Sequence, residues 1–126
     1  MGFIKDRFVS LGYALKGIKT FVKGEVHARV HLFSASMAIL CGFYFSISLL
    51  EWSIVVLCIS SVLSAEAFNT AIELLLDFIH PDQHEKVGKI KDISAAAVLF
   101  LSFGSLIIGG FVFLPKIIEM IREFSL

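Results

Sequence analysis

Glu66, Asn69, Glu73 and Asp77 are polar side chains at the far end of an apolar run that begins at Ser53, and Thr70 stands among them. Steps of three, four and four residues put them on one stripe of an α-helix, because about 3.6 residues complete a turn. Ionisable groups inside an apolar span are costly there and mark a functional site by default. At a rise of about 1.5 Å per residue, Glu73 lies ~6 Å and Glu66 ~16 Å inward of Asp77. The arrangement is graded, with outer carboxylates near water and one deeper, near headgroup level. That gradient suits phosphoryl transfer to a lipid alcohol. Outer carboxylates offer oxygen to Mg²⁺, which also needs nucleotide phosphates. The deeper Glu66 can accept the proton of a hydroxyl held at the interface. The same groups also suit interhelical hydrogen bonding or an ion or proton relay in a small transporter or channel subunit. Against the relay, the acids gather at one side of the membrane, and the last apolar run continues them with no acid of its own.

The elements that must position this stripe are helical. Of the 126 residues, 57% are hydrophobic, and the mean hydropathy is +0.88; roughly 45–50% apolar usage is ordinary for a soluble domain. The sequence predicts an all-α membrane protein of one domain, 1–126. Its amino-terminal part, 1–29, reads as a cytoplasmic or interfacial segment in which Ile4, Phe8, Leu11, Leu15, Ile18 and Val22 form an apolar stripe. Lys5, Arg7, Lys16, Lys19 and Lys23 decorate the rest. Such a helix suits the membrane surface, or packing on the domain's own core. Three transmembrane helices are expected at 30–50, 53–76 and 94–114, about 20 residues being needed to cross. Glu51-Trp52 makes the first break, Asp77 to Ile93 a polar connection with Pro81 and Gly88 as breakers, and Pro115-Lys116 the end of the last span.

Charge sets an orientation. Lys5, Arg7, Lys16, Lys19, Lys23 and Arg29 precede the first span and Lys86, Lys89 and Lys91 follow the second, while only Lys116 and Arg122 fall on the other side. Nine basic residues against two predict a cytoplasmic amino terminus. The formal net charge of zero carries no nucleic-acid signal. Cys41 and Cys58 lie in apolar runs and read as buried small hydrophobes. Charges interrupt the first thirty residues, so no cleavable signal peptide is expected. His80 and His84 have an i, i+4 spacing, but Pro81 separates them and no further zinc ligand is evident. Soluble nucleotide signatures are absent: no glycine loop ending in Lys-Ser/Thr, no dinucleotide fingerprint, no protein-kinase loop.

The stretch Glu66-Ala67-Phe68-Asn69-Thr70-Ala71-Ile72-Glu73-Leu74-Leu75-Leu76-Asp77 resembles the signature of the prokaryotic diacylglycerol kinase family, small trimeric membrane lipid kinases that include undecaprenol kinase. The resemblance continues through Gly88-Lys89-Ile90-Lys91-Asp92, and Gly12-Tyr13, Lys16-Gly17-Ile18 and Glu25 match the amino-terminal part. It implies a homotrimer with sites between subunits, ATP as phosphoryl donor and Mg²⁺ as cofactor. It implies Glu66 as general base and Glu25 and Glu73 as metal ligands that also meet ATP. Tyr13, Asn69, Asp77, Asp82, Gln83, His84, Lys91 and Asp92 would arrange the nucleotide. His31 and the ending Phe113-Leu114-Pro115-Lys116-Ile117 are more similar to the undecaprenol kinase branch, which favours undecaprenol over diacylglycerol as acceptor. The diacylglycerol branch tends to carry an acid where His31 stands.

Overall fold

A computed structural model describes residues 2–82 and 84–125, and every regular element among them is an α-helix. α1 (Gly2–Gly24) is followed by α2 (Val26–Tyr44), α3 (Leu49–Ile79) and α4 (Glu85–Phe124). α2, α3 and α4 are each long and apolar enough to cross a membrane. The most extensive packing is α3 against α4; α2 rests on α3, and α1 meets α2. Large apolar side chains such as Phe68, Phe100 and Phe111 are exposed around these helices. Faces of this kind are at home against hydrocarbon, where helices satisfy their own backbone hydrogen bonds. Four members of the α1 stripe, Phe8, Leu11, Leu15 and Ile18, are exposed and so are not packed on the chain's own core.

The helix ends differ from the sequence expectation in three places. The first break comes at residues 45–48, before Glu51-Trp52, so α2 stops at Tyr44 and Leu49 already belongs to α3. Ser48 and Glu51 explain it. Ser48 Oγ accepts from the Glu51 N–H at 3.3 Å, and the Ser48 N–H donates to Glu51 Oε2 at 2.7 Å. This reciprocal capping box satisfies two of the donors a helix start leaves open. Ser46 takes a left-handed conformation, φ 49°, to complete the turn.

The second difference is the polar connection. α3 runs to Ile79 and α4 starts at Glu85, so Asp77 and Lys91 are helical and the link is only residues 80–84. Gly88 does not break α4; its N–H bonds the His84 carbonyl at 3.0 Å. Third, α4 continues through Pro115 to Phe124. A proline removes one backbone donor and crowds the preceding turn, and here tertiary contacts hold the helix beyond it. Lys116 Nζ reaches Glu51 Oε1 at 3.0 Å, and the Tyr44 hydroxyl lies 3.6 Å from the Met120 sulfur.

Those contacts close the end of the bundle opposite the 80–84 link. Ile47, Val55 and Val112 form a small buried cluster there, flanked by Phe45, Trp52 and Phe113. Gly42 is what lets Trp52 lie close, since a Cβ at this position would fall 2.7 Å from the indole ring. Gly42→Ala should therefore force the ring or the helix aside and cost about 1–3 kcal/mol, as overpacking does. The check is the thermal midpoint in detergent, which should drop by several degrees; an unchanged midpoint would mean that the ring moves freely.

Candidate active site

α3 carries the polar stripe, and packing against its neighbours gives each member a different environment. Glu66 is 5% exposed and Thr70 8% exposed, the two buried polar residues among those described. The Glu66 carboxylate has no hydrogen bond or ion pair with a described residue, so both oxygens are available to a ligand. One turn on, Asn69 Nδ2 donates to Glu73 Oε1 at 3.0 Å. That bond fixes the amide's orientation, because a flipped amide would set two oxygens against each other. It leaves Asn69 Oδ1 buried without a partner. A buried acceptor left open costs about 1–3 kcal/mol unless something donates to it, and such an atom is a mark of a site that takes a ligand.

Further out, Lys91 Nζ pairs with Asp77 Oδ1 at 2.5 Å and ties α4 to α3. Counting eleven residues inward from each partner brings Glu66 level with Ser102, whose hydroxyl is also buried and unpartnered. Ser94 is a third such residue. Other helical hydroxyls, those of Ser34, Ser36, Ser53 and Ser60 among them, bond the carbonyl four residues back. The side of α4 that faces the stripe is therefore polar in a way that the sequence alone did not mark. An outward-opening groove of about 460 Å³ runs along this seam past Ala65, Asn69, Ser94 and Ala97.

Each residue expected from sequence can now be located. Glu66, Asn69, Glu73 and Asp77 share the inner face and lower end of α3, with Lys91 alongside; Asp92 is exposed on α4. Asp82 and His84 stand in the link, where a second cavity of about 510 Å³ joins them to Asp77 and Lys91. Gln83 lies outside the described residues. Glu25 is the half-buried residue just before α2, and its side chain makes no capping bond to that helix. Tyr13 is exposed on α1, with Lys16 Nζ 5.7 Å from its ring centre. Among the described residues no three His, Cys, Asp or Glu groups converge as a metal site, so one chain does not assemble the carboxylates of Glu25 and Glu73 into a closed cage. Reasoning from sequence weighed His80 only as a zinc ligand and passed over Glu85, both of which line the link cavity, and it did not foresee the Glu51–Lys116 pair. Glu51 in the first break and Lys116 just after the third expected span, on the same side of a three-span chain, were the available signal for that pair.

Fold and site define a helical integral-membrane protein with an uncommitted carboxylate buried in a span, next to a second one braced by an amide. The comparisons with known proteins are specific. The family model described as prokaryotic diacylglycerol kinase matches residues 12–113. The chain is 36% identical over 110 residues to the undecaprenol kinase of Bacillus subtilis strain 168, covering 87% of this chain and 89% of that one. It is 30% identical over 105 residues to the diacylglycerol kinase of Haemophilus influenzae, 82% of this chain and 89% of that one. With the diacylglycerol kinase of Helicobacter pylori it shares 34% identity over 107 residues, 83% of each. The chain belongs to the prokaryotic diacylglycerol kinase family, a family of membrane lipid kinases. Nothing in these comparisons supports the transporter reading.

Proposed function

We propose that this protein is an ATP-dependent kinase that transfers the γ-phosphate of ATP to the hydroxyl of a membrane lipid alcohol, undecaprenol ahead of diacylglycerol. The observation that carries the reading is Glu66: a carboxylate 5% exposed on a membrane helix, uncommitted, one turn from the Asn69–Glu73 pair. Glu66 takes the proton of the lipid hydroxyl as its oxygen forms a bond to the γ-phosphorus. The bond from that phosphorus to the bridging oxygen breaks, and ADP leaves with the electron pair.

Glu73 and Glu25 are the residues we assign to Mg²⁺, and the donor set fits. Glu73 is held at one oxygen by Asn69 and keeps the other, and a hard cation accepts carboxylate oxygen together with phosphate and water. Bound there, the cation would neutralise charge developing on the phosphates. Asn69 keeps Glu73 in place. Asp77, Lys91 and Asp92, with Tyr13, Asp82, Gln83 and His84, arrange the nucleotide. Glu25 and Tyr13 would meet α3 carboxylates across subunits of a homotrimer. Nine basic residues on the side of α1 and the link favour a cytoplasmic amino terminus in a bacterial inner membrane, where ATP is. The exposed apolar stripe of α1 suits the interface on that side.

Acceptor preference rests on His31 and on the 113–117 ending, and the undecaprenol kinase relative is in keeping with it. On this reading the enzyme supplies carrier lipid for envelope polymers. The test offers undecaprenol, diacylglycerol and ceramide in parallel to purified protein in mixed micelles with Mg²⁺ and labelled ATP. The expected result is labelled undecaprenyl phosphate, with kcat/KM about tenfold above diacylglycerol, a difference of about 1.4 kcal/mol in transition-state binding. Diacylglycerol ahead of undecaprenol would reverse the acceptor assignment, and no labelled lipid from any acceptor would overturn the kinase reading.

A further inference from the structure

The cavity at the 80–84 link has a chemistry of its own. Of its lining residues the argument needs six: Asp77, His80, Asp82, His84, Glu85 and Lys91. Three are carboxylates and one is a cation, and that cation already pairs with Asp77. Glu85 is drawn to Lys89 at 2.6 Å. A polyphosphate would meet this lining with its charge uncompensated. Groups that donate hydrogen bonds would not: a ribose diol and an exocyclic amine both suit carboxylate acceptors.

The two histidines add flat surface. His80 ends α3, its N–H bonded to the Leu76 carbonyl at 2.8 Å, and Pro81 turns the chain away. His84 begins α4, and its Nδ1 accepts the Lys86 N–H at 3.1 Å. With Nδ1 an acceptor, Nε2 is the ring's donor. The ring centres are 5.3 Å apart and tilted by 49°. His84 is thereby spoken for by α4, whereas the ring of His80 makes no hydrogen bond with a described residue.

We propose that His80 is a nucleotide-positioning residue: its imidazole stacks on the purine base of the phosphoryl donor. The nucleoside half then sits at the helix ends, while the phosphates point inward along α3 toward the Asn69–Glu73 pair. The base offers a π-face to an aromatic side chain, which stacks on it whatever its edge pattern. The ribose hydroxyls donate to Asp82 or Glu85. This assignment rests on the kinase reading above and adds to it one residue.

The experiment uses the full-length protein in mixed micelles, with His80→Ala and His80→Phe. Stacking predicts that His80→Ala raises the KM for ATP about tenfold, toward the low end of what deleting one stacked aromatic does. The kcat and the KM for the lipid should stay within twofold, and His80→Phe should return the KM for ATP to within about threefold of wild type. A separate measurement follows displacement of labelled ATP by adenosine and by tripolyphosphate. His80→Ala should weaken adenosine competition and leave tripolyphosphate competition unchanged. An unchanged KM, no rescue by phenylalanine, or equal loss with both competitors would overturn the assignment. Wild-type protein that binds ATP with the predicted adenosine pattern yet labels no lipid would count against the kinase reading while supporting His80.

Discussion

Glu66→Gln should lower kcat by about 10²–10⁴-fold, the range a positioned general base contributes, while the KM for ATP moves by less than threefold. Glutamine keeps the size and the hydrogen-bonding edge of the side chain and removes its ability to take a proton. Burial sharpens the expectation. At 5% exposure water has little access to replace the lost carboxylate as proton acceptor. Glu66→Asp is informative beside it, because the carboxylate retracts by one methylene and misplacement near 1 Å alone costs about 10²-fold. Turnover is read as labelled lipid, and intact folding as an unchanged thermal midpoint in detergent. Wild-type turnover in Glu66→Gln would remove this residue as base.

Glu73→Gln should act on binding. Its amide oxygen can still accept from Asn69 Nδ2, so the bond at 3.0 Å survives and the charge alone is lost. We expect the KM for Mg-ATP to rise at least about tenfold and the Mg²⁺ concentration for half-maximal rate to rise with it. That corresponds to at least about 1.4 kcal/mol of lost binding. Direct Mn²⁺ binding in the presence of a non-hydrolysable nucleotide should weaken in parallel. If metal dependence stayed as in wild type and only kcat fell, Glu73 would belong to the chemistry and not to the cation.

The α3 stripe was legible from spacing because a helix repeats at about 3.6 residues and each polar group was conspicuous against an apolar background. Three helices fit to span followed from composition for the same reason. Boundaries were less legible. Phe45 and Ile47 are apolar and read as a continuation of the first span, while Ser48-x-x-Glu51, a readable capping signature, carried the turn. Pro115 misled because proline's local preference was outweighed by tethers at Lys116 and Met120, which depend on residues some 65–76 positions away. The site was legible on α3 and not across from it. Ser94 and Ser102 are ordinary serines until packing buries their hydroxyls without partners, and the link cavity exists only because two helix ends converge.

The two ion pairs between α3 and α4 have a consequence for the surrounding bilayer. Asp77–Lys91 and Glu51–Lys116 are separated by 26 residues on α3 and 25 on α4, or about 38–39 Å of helix. That separation exceeds the hydrocarbon thickness of about 30 Å, so the two bridges cannot both lie within hydrocarbon. Sliding α4 by one turn would break both bridges together. The chain thus behaves as a ruler of fixed length. A membrane that is too thin or too thick must tilt this helix pair or deform around it, at a fraction of a kcal/mol per Å.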